Sequence, residues 1–465
     1  MAFTLLDWIP LVLYFGMLGW FTLRRKYIDH GSDETAYLLS GRRLTLPAFV
    51  ATLVATWYGG ILGVGEYTYM VGASQWLLFA FPYYVFAIMY AFLLAGKIRS
   101  GKALTIPEAL GETYGQKTGI LGAAGVFVLV SPAPYILMLG VVAQMLTGSD
   151  EWLLYAVLVA LFSVIYVGTG GFAAVVRTDW LQGALMYGGF VMMLGFAWQY
   201  AGSPAEMWSQ LPEGHRDFTG GYNLSYIFVW FFIAMWTFVD PGFHQRSAAA
   251  ESPETAKKGI IYSVLFWSFF DALTLLAGLY ALVILGPELA NPISAFPDLA
   301  VELLPAGLLG LFITALIAII MSTLDSFLFL SGQTLGRDVL KQYNKGVSPV
   351  RLTQIGIVIA AVLAVGMITI FPSVIELWYV IGSLIIPAML FPVLGIYLPF
   401  FRYRKNYAAI SVVGSFMMAL AWLVMGVQTS QELYSYAWLG IEPFYPGLAV
   451  SAIVLFVSRL SEKAE

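Results

Sequence analysis

Four polar residues stand close together inside a long apolar run, in the stretch IIMSTLDSFLFLSG, residues 319–332. A helix turns by about 100° per residue, which places Ser322, Thr323, Asp325 and Ser326 on one broad face. Membrane hydroxyls often bond only to the carbonyl one turn earlier, but a carboxylate beside them needs a counter-charge. Hydroxyl, carbonyl and carboxylate oxygens are the ligands of small hard cations. The pattern therefore predicts a cation site on this helix, and Na⁺ would satisfy the acid.

A second acid occurs in GGFAAVVRTDWLQG, residues 170–183. Asp179 is expected just inside the cytoplasmic end of its helix, in the same membrane half as Asp325. One interpretation gives Asp179 an ion pair or a helix N-terminus, with Arg177 as a membrane-edge anchor. In the other, the two acids meet at one depth around a cation that offsets their repulsion. Arg177 would then pair with Asp179 when the cation is absent.

The composition places these helices in a membrane. The chain has 465 residues, of which 60% are hydrophobic and 11% charged, against about 25% charged residues in soluble domains. There is no cysteine and only three scattered histidines, which excludes disulfides and cysteine metal sites. No phosphate loop, nucleophile–base pair or basic nucleic-acid patch is present. These features predict an all-α polytopic membrane protein that is not an enzyme and binds no nucleic acid.

Apolar windows of the length that spans a bilayer, about 20 residues, predict about thirteen transmembrane helices. They form a single transmembrane domain over 1–465, with an extra N-terminal helix within 1–30 and two extra helices within 407–459. The windows are 5–23, 46–71, 76–96, 118–147, 152–170, 176–200, 225–248, 258–285, 306–340, 351–371, 373–399, 407–426 and 443–459.

The orientation follows from the basic residues. Of the 23 Lys and Arg residues, all but Arg216 fall on one side when thirteen helices alternate. Basic loops stay in the cytoplasm, so the N-terminus is predicted outside and the C-terminus inside.

Two of the predicted helices carry interruptions. Glycines crowd the centre of window 46–71, at Gly59, Gly60 and Gly63 among others; they either allow close packing or free carbonyls for a cation. Asp240-Pro241-Gly242 interrupts window 225–248, because proline removes a backbone donor. The two helices lie five apart and run in opposite directions. This predicts a five-plus-five inverted repeat, with units at 46–200 and 225–399.

Four motifs resemble the sodium:solute symporter family, whose fold is leucine-transporter-like with extra helices. They are GGFAAVVRTDWLQ, AIIMSTLDSFLFLSGQTLGRD, GRRLTLPAFVATLVAT and DPGFHQRSAAAESPETAKKG, and the resemblance covers roughly residues 35–405. It implies a main Na⁺ site formed by carbonyls and hydroxyls of Ala55, Tyr58, Ile319, Ser322 and Thr323. It also implies a second Na⁺ site, similar to that of sialic-acid carriers, formed by Asp179, Asp325 and Ser326.

The resemblance identifies the solute pocket less well. Thr237 stands where proline-type carriers have an aromatic residue, and Leu62 where sugar-type carriers have a glutamine. Trp57, Trp236 and Asp240 are pocket candidates by position, although both tryptophans could equally be packing residues. The substrate set is therefore predicted as Trp57, Glu66, Trp236, Thr237 and Asp240, with Glu66 as a gate or an interfacial acid.

Together these observations predict a secondary-active, Na⁺-coupled symporter of the plasma or inner membrane. It would import a small polar solute, such as an amino acid, sugar or polyol, by alternating access, as a monomer in the lipid bilayer. Two Na⁺ ions are expected per solute. A proton-coupled symporter is the alternative, because a buried carboxylate without Na⁺ can carry a proton. A solute sensor with a transporter-like fold is a further alternative.

Overall fold

The computed structural model describes residues 3–23, 34–344, 346–369, 374–427 and 436–463. Within these ranges the chain is helical, with two isolated β-bridges and no strand. This follows from the apolar composition, because a segment in lipid must satisfy its own backbone hydrogen bonds. Among the basic residues used for orientation, Arg24, Arg25, Lys26 and Lys345 lie outside the described residues.

Ten of the described helices are long and apolar enough to cross a membrane, and a bent pair raises this number to eleven. Two shorter apolar helices are Leu5–Trp20 and Trp152–Gly168. The predicted total of thirteen thus depends on counting these two, and it stays a prediction. The long helices are Trp76–Ser100, Gln116–Thr147, Gly171–Ala201, Leu224–Ala249, Pro253–Leu285, Leu308–Tyr343, Pro349–Ile368, Val374–Tyr397, Lys405–Gly426 and Phe444–Ser461.

The bent pair, Leu46–Trp57 and Ile61–Val71, is called the first broken helix below. Its halves meet at 56° across Tyr58, Gly59 and Gly60, where the sequence predicts an interruption. A Cβ atom on Gly59 would lie 2.2 Å from the Thr323 side chain, and one on Gly60 would lie 1.9 Å from the Trp378 ring. The glycines therefore let neighbouring helices approach the break closely.

The second broken helix consists of Leu224–Ile233, Trp236–Val239 and Pro241–Ala249. The predicted interruption lies at Asp240, whose Oδ1 accepts a hydrogen bond from the Phe243 backbone N–H at 2.9 Å. Pro241 takes the first helical position, where its missing N–H costs nothing. A further turn at Ala234 and Met235 separates the first two segments, and the sequence did not predict it.

The helix Leu308–Gln333, called the hydroxyl helix below, is the most enclosed of the spans. In the apolar window of its span, 89% of the residues are buried inside the protein. It packs against the first broken helix, the N-terminal helix Leu5–Leu23 and the helix Gly171–Ala201. Its polar side chains therefore face protein rather than lipid.

Ion pairs join three elements at the predicted cytoplasmic end of the hydroxyl helix. The Arg337 guanidinium bonds Glu34, and it also contacts Glu108 and Asp338, each at 2.9 Å. Lys341 adds a contact with Glu34 at 3.3 Å. The cluster ties the helices Glu34–Leu39 and Ile106–Tyr114 to this end of the hydroxyl helix.

Candidate cation site and solute pocket

The break in the first broken helix lies against the hydroxyl helix. The Thr323 Oγ1 donates a hydrogen bond to the Thr56 carbonyl at 2.6 Å. Because helix Leu46–Trp57 ends there, the carbonyls of its last turn have no partner within the helix. Ala55 and Ile319 are each 1% exposed. The structure thus brings Thr323 to the carbonyl end that contains Ala55 and Tyr58.

Ser322 and Asp179 form a hydrogen-bonded pair beside this point. The Ser322 Oγ donates to Asp179 Oδ1 at 2.6 Å, and the Thr52 hydroxyl bonds the other carboxylate oxygen. Asp179 is completely buried. Ser322 therefore belongs both to the predicted main Na⁺ site and to the surroundings of the predicted second site.

A buried arginine lies between these groups. Arg246 Nη2 donates to the hydroxyls of Thr52, Thr56 and Ser326 at 3.0, 2.7 and 3.1 Å. The side chain has no exposed surface, and among the described residues no carboxylate oxygen lies within 4 Å of it. The hydroxyls thus position a full positive charge among the candidate ion ligands.

This arginine corrects two sequence inferences. Arg246 was assigned to a cytoplasmic loop, but helix Pro241–Ala249 carries it into the protein interior. Arg177, the expected partner of Asp179, is exposed instead. The predicted window 225–248 already includes Arg246, so the error was to count this residue with the basic loop that follows the helix.

Asp325 makes no hydrogen bond to the other residues of the predicted second site. It is fully buried, and neither carboxylate oxygen has a hydrogen-bond partner among the described residues. Ser326 instead bonds Arg246, and Asp179 bonds Ser322 and Thr52. Hydrogen bonds thus connect Asp179 and Ser326 through Thr52 and Arg246, but they do not include Asp325.

A cavity lies between the two broken helices. Trp57, Trp236 and Asp240 line it, as predicted by position, whereas Glu66 and Thr237 are not among its lining residues. Thr237 is buried and bonds the Ala234 carbonyl at 3.0 Å. The aromatic residues around the cavity are Trp57, Tyr58, Phe79, Tyr83, Tyr135, Trp230, Trp236, Phe243, Phe327 and Trp378.

Asp240 has two structural bonds at the cavity wall. Besides capping helix Pro241–Ala249, it accepts a bond from Trp236 Nε1 at 3.2 Å. Helix capping alone would explain an aspartate at this position. A role in solute binding is therefore inferred only from its place in the cavity wall.

Sequence reasoning missed several polar residues of the cavity, Gln75 and Asp271 among them. Asp271 lies on the helix Pro253–Leu285 and accepts a hydrogen bond from the Tyr84 hydroxyl. Gln75 is 2% exposed, and its Oε1 has no partner among the described residues. A single acid inside the apolar run FWSFFDALTLL was the available signal.

The two interrupted helices packed around a central cavity are typical of secondary carriers. A model of the sodium:solute symporter family matches residues 37–385, and the chain belongs to this family. It is therefore a multi-pass transporter of the cell membrane and not an enzyme.

The names of similar proteins agree with this assignment. A sodium/glucose cotransporter of Vibrio parahaemolyticus is 24% identical, over 89% of this chain and 79% of its own length. A high-affinity proline transporter of Bacillus subtilis is 26% identical, over 96% of each chain. In structure, a Na⁺-coupled sialic acid symporter in a substrate-bound, outward-open state matches with a TM-score of 0.80 at 17% identity, covering 100% of this chain and 98% of its own.

Proposed function

We propose that this chain is a secondary-active symporter that uses the Na⁺ gradient to import a small polar organic solute by alternating access. The observation that carries the proposal is the contact of Thr323 with the carbonyl end of the first broken helix. There, free carbonyls and hydroxyls meet away from water, which suits a small hard cation. Two relatives, named as a sodium/glucose cotransporter and a sodium/proline symporter, support Na⁺ as that cation.

The main Na⁺ site uses the carbonyls of Ala55, Tyr58 and Ile319 with the hydroxyls of Ser322 and Thr323. The hydroxyl hydrogen of Thr323 is donated to Thr56, which leaves the oxygen lone pairs for the ion. Tyr58 would ligate Na⁺ through its carbonyl, and both Trp57 and Tyr58 line the cavity. Ion and solute thus share one broken segment, so we expect their binding to be coupled, and such coupling is reciprocal.

The second Na⁺ site uses Asp179, Asp325 and Ser326, which makes two ions per solute. Support comes from the unpartnered, fully buried carboxylate of Asp325, because a buried charge requires compensation. Arg246 holds Ser326 and lies among the same hydroxyls, so binding of this ion requires the guanidinium to release Ser326.

The solute binds between the broken helices, with Trp57, Trp236 and Asp240 in the wall. Glu66 and Thr237, which are not among the lining residues of the cavity, complete the proposed set, with Glu66 as a gate or an interfacial acid. The scaffold for alternating access has thirteen spans and an N-terminus on the outside. Units 46–200 and 225–399 form its two inverted repeats.

Proton coupling is the second candidate, favoured by the same Asp325 carboxylate, which has no hydrogen-bond partner among the described residues. A fully buried carboxylate without a partner holds a proton more readily than one in water. In that case Asp325 would carry the proton while the main site stays a Na⁺ site or a vestige of one.

A thermal-shift screen of the purified chain tests the proposal. Glucose, L-proline, choline and myo-inositol are added in NaCl or in KCl at equal ionic strength. We expect Na⁺ alone to raise the melting temperature, and a solute to raise it further only with Na⁺. A solute that stabilises equally in both salts, with no effect of Na⁺ alone, contradicts Na⁺ coupling.

A further inference from the structure

Asp271 lies in the cavity wall without a positive partner in the part of the chain that the structure describes. Asp271 is 7% exposed, and among the described residues no Lys, Arg or His nitrogen lies within 4 Å of it. The Asp271 carboxylate accepts a hydrogen bond from the neutral Tyr84 hydroxyl. A buried carboxylate is strongly unfavourable unless a positive charge or a proton compensates it.

The surroundings of Asp271 do not resemble an inorganic cation site. A small metal ion needs several oxygen ligands that converge on it, whereas the cavity is walled mainly by aromatic rings. Ring faces attract organic cations, and ammonium groups in particular. Trp57 contributes to this wall, with its ring centroid 5.0 Å from that of Tyr83.

Two further polar atoms in the cavity wall have no partner among the described residues. They are Gln75 Oε1 and Trp230 Nε1, both on side chains that are 2% exposed. Gln75 offers an acceptor and Trp230 a donor, and leaving such groups unbonded in a closed site is costly. A solute that carries both a donor group and an acceptor oxygen would satisfy them.

We propose that the transported solute carries a positively charged nitrogen, which binds between the Asp271 carboxylate and the aromatic wall. This inference rests on the proposed function, since it names the solute class of that cavity. The ammonium supplies the charge that Asp271 lacks, and Gln75 Oε1 accepts from the solute. Arg246 also lines the cavity, with its Nε unbonded, so the solute is either a cation or a zwitterion whose carboxylate faces the guanidinium.

The first test uses the unchanged protein and measures binding by calorimetry in NaCl. Choline, glycine betaine and L-proline are compared with myo-inositol, glucose and 3,3-dimethylbutan-1-ol, which copies the shape of choline without its charge. At least one of the ammonium compounds is expected to bind. Binding of choline would indicate that the solute is a cation, and binding of glycine betaine or L-proline would indicate that it is a zwitterion. Charge-assisted contacts are worth roughly 10- to 100-fold in affinity, so 3,3-dimethylbutan-1-ol should bind that much more weakly than choline if choline binds.

Failure to bind any of the three ammonium compounds overturns the inference. It is also overturned if myo-inositol, glucose or 3,3-dimethylbutan-1-ol binds as tightly as the best of the three. Na⁺-dependent binding of a neutral solute would nevertheless leave the symporter proposal intact. Absence of any Na⁺ effect would instead count against the symporter proposal itself.

The second test compares Asp271→Asn with Asp150→Asn, which makes the same change at an exposed loop position. Asp271→Asn should weaken binding of the ammonium compound roughly 10- to 100-fold, while its stabilisation by Na⁺ persists and shows that the protein is folded. Asp150→Asn should leave both unchanged. Equal affinity in wild type and Asp271→Asn contradicts the assignment, and if that variant fails to fold, the ligand comparison on the unchanged protein decides.

Discussion

Replacing Thr323 with valine should weaken Na⁺ binding with little change in shape. Valine has nearly the volume of threonine but no hydroxyl, so the change removes one proposed oxygen ligand. It also removes the 2.6 Å bond to the Thr56 carbonyl. Because Thr323 is 1% exposed, bulk water does not reach this position to replace the lost oxygen ligand.

The expected loss can be estimated from the two roles of this hydroxyl. Its bond to Thr56 is an ordinary buried hydrogen bond, worth about 1 kcal/mol of folding stability. That bond uses the hydrogen, whereas Na⁺ would use the oxygen lone pairs, so the two interactions do not compete. An interaction with a charged partner is worth about 1.5–3 kcal/mol, which corresponds to roughly 10- to 100-fold in Na⁺ affinity.

Thr314→Val is the matched control on the same helix. Thr314 is also 1% exposed, but its hydroxyl bonds the Gly310 carbonyl one turn earlier at 2.7 Å. This variant should lose a similar folding free energy and keep the wild-type Na⁺ affinity. The affinity is measured as the Na⁺ concentration that half-saturates the thermal shift, with K⁺ holding the ionic strength constant.

Two results would refute the reasoning. Wild-type Na⁺ affinity in Thr323→Val would remove this hydroxyl from the ion site. An equal loss of affinity in Thr314→Val would show that the effect arises from general weakening of the helix. The double variant Ser322→Ala, Thr323→Ala should lose more, because Ser322 also bonds Asp179.

Three further predictions concern buried charges. Asp240→Asn keeps a side chain that can cap the helix. It should lower solute affinity roughly 10-fold, as expected for the loss of a charged contact, and leave Na⁺ affinity unchanged. A fall in protein yield alone would support a purely structural role for Asp240. Asp325→Ala should bring the Na⁺ Hill coefficient of uptake towards one, while a coefficient unchanged from wild type would remove Asp325 from ion binding. Arg337→Gln removes the ion pairs with Glu34 and Glu108 at the cytoplasmic end, and Lys341 keeps its contact with Glu34. The change should speed thiol labelling of a Thr334→Cys reporter about 10-fold, the scale of one charged contact. The chain has no native cysteine, and an unchanged rate would show that this cluster does not hold the cytoplasmic end closed.

The positions of the apolar helices were predictable, because lipid demands long apolar segments with satisfied backbones. The break at Gly59 and the one at Asp240-Pro241 were also predictable, since glycine and proline act through local backbone geometry. The turn at Ala234 and Met235 carries neither residue, so tertiary packing rather than local sequence must account for it.

The partners of the polar side chains were harder to predict. A helix that is apolar on all sides gives no indication of which face meets protein, so Asp271 could not be assigned to the cavity. Arg246 follows a proline break and resembles an ordinary cytoplasmic basic residue. Only the packing of helix Pro241–Ala249 shows that this charge is buried among Thr52, Thr56 and Ser326.

The coupling number sets how far the carrier can concentrate its solute. Moving one charge through about 100 mV supplies roughly 2.3 kcal/mol, and a tenfold gradient adds about 1.4 kcal/mol. One Na⁺ would then support roughly 500-fold accumulation of a solute with no net charge, and two would support roughly 10⁵-fold.

Solute uptake into proteoliposomes at fixed, equal pH on both sides tests Na⁺ coupling most directly. The solute is the one that the thermal-shift and calorimetric panels select, and its flux is measured together with that of ²²Na⁺. The account predicts accumulation only with an inward Na⁺ gradient, at two Na⁺ per solute. Accumulation driven by a proton gradient without Na⁺, or solute binding with no net transport under either gradient, would contradict it.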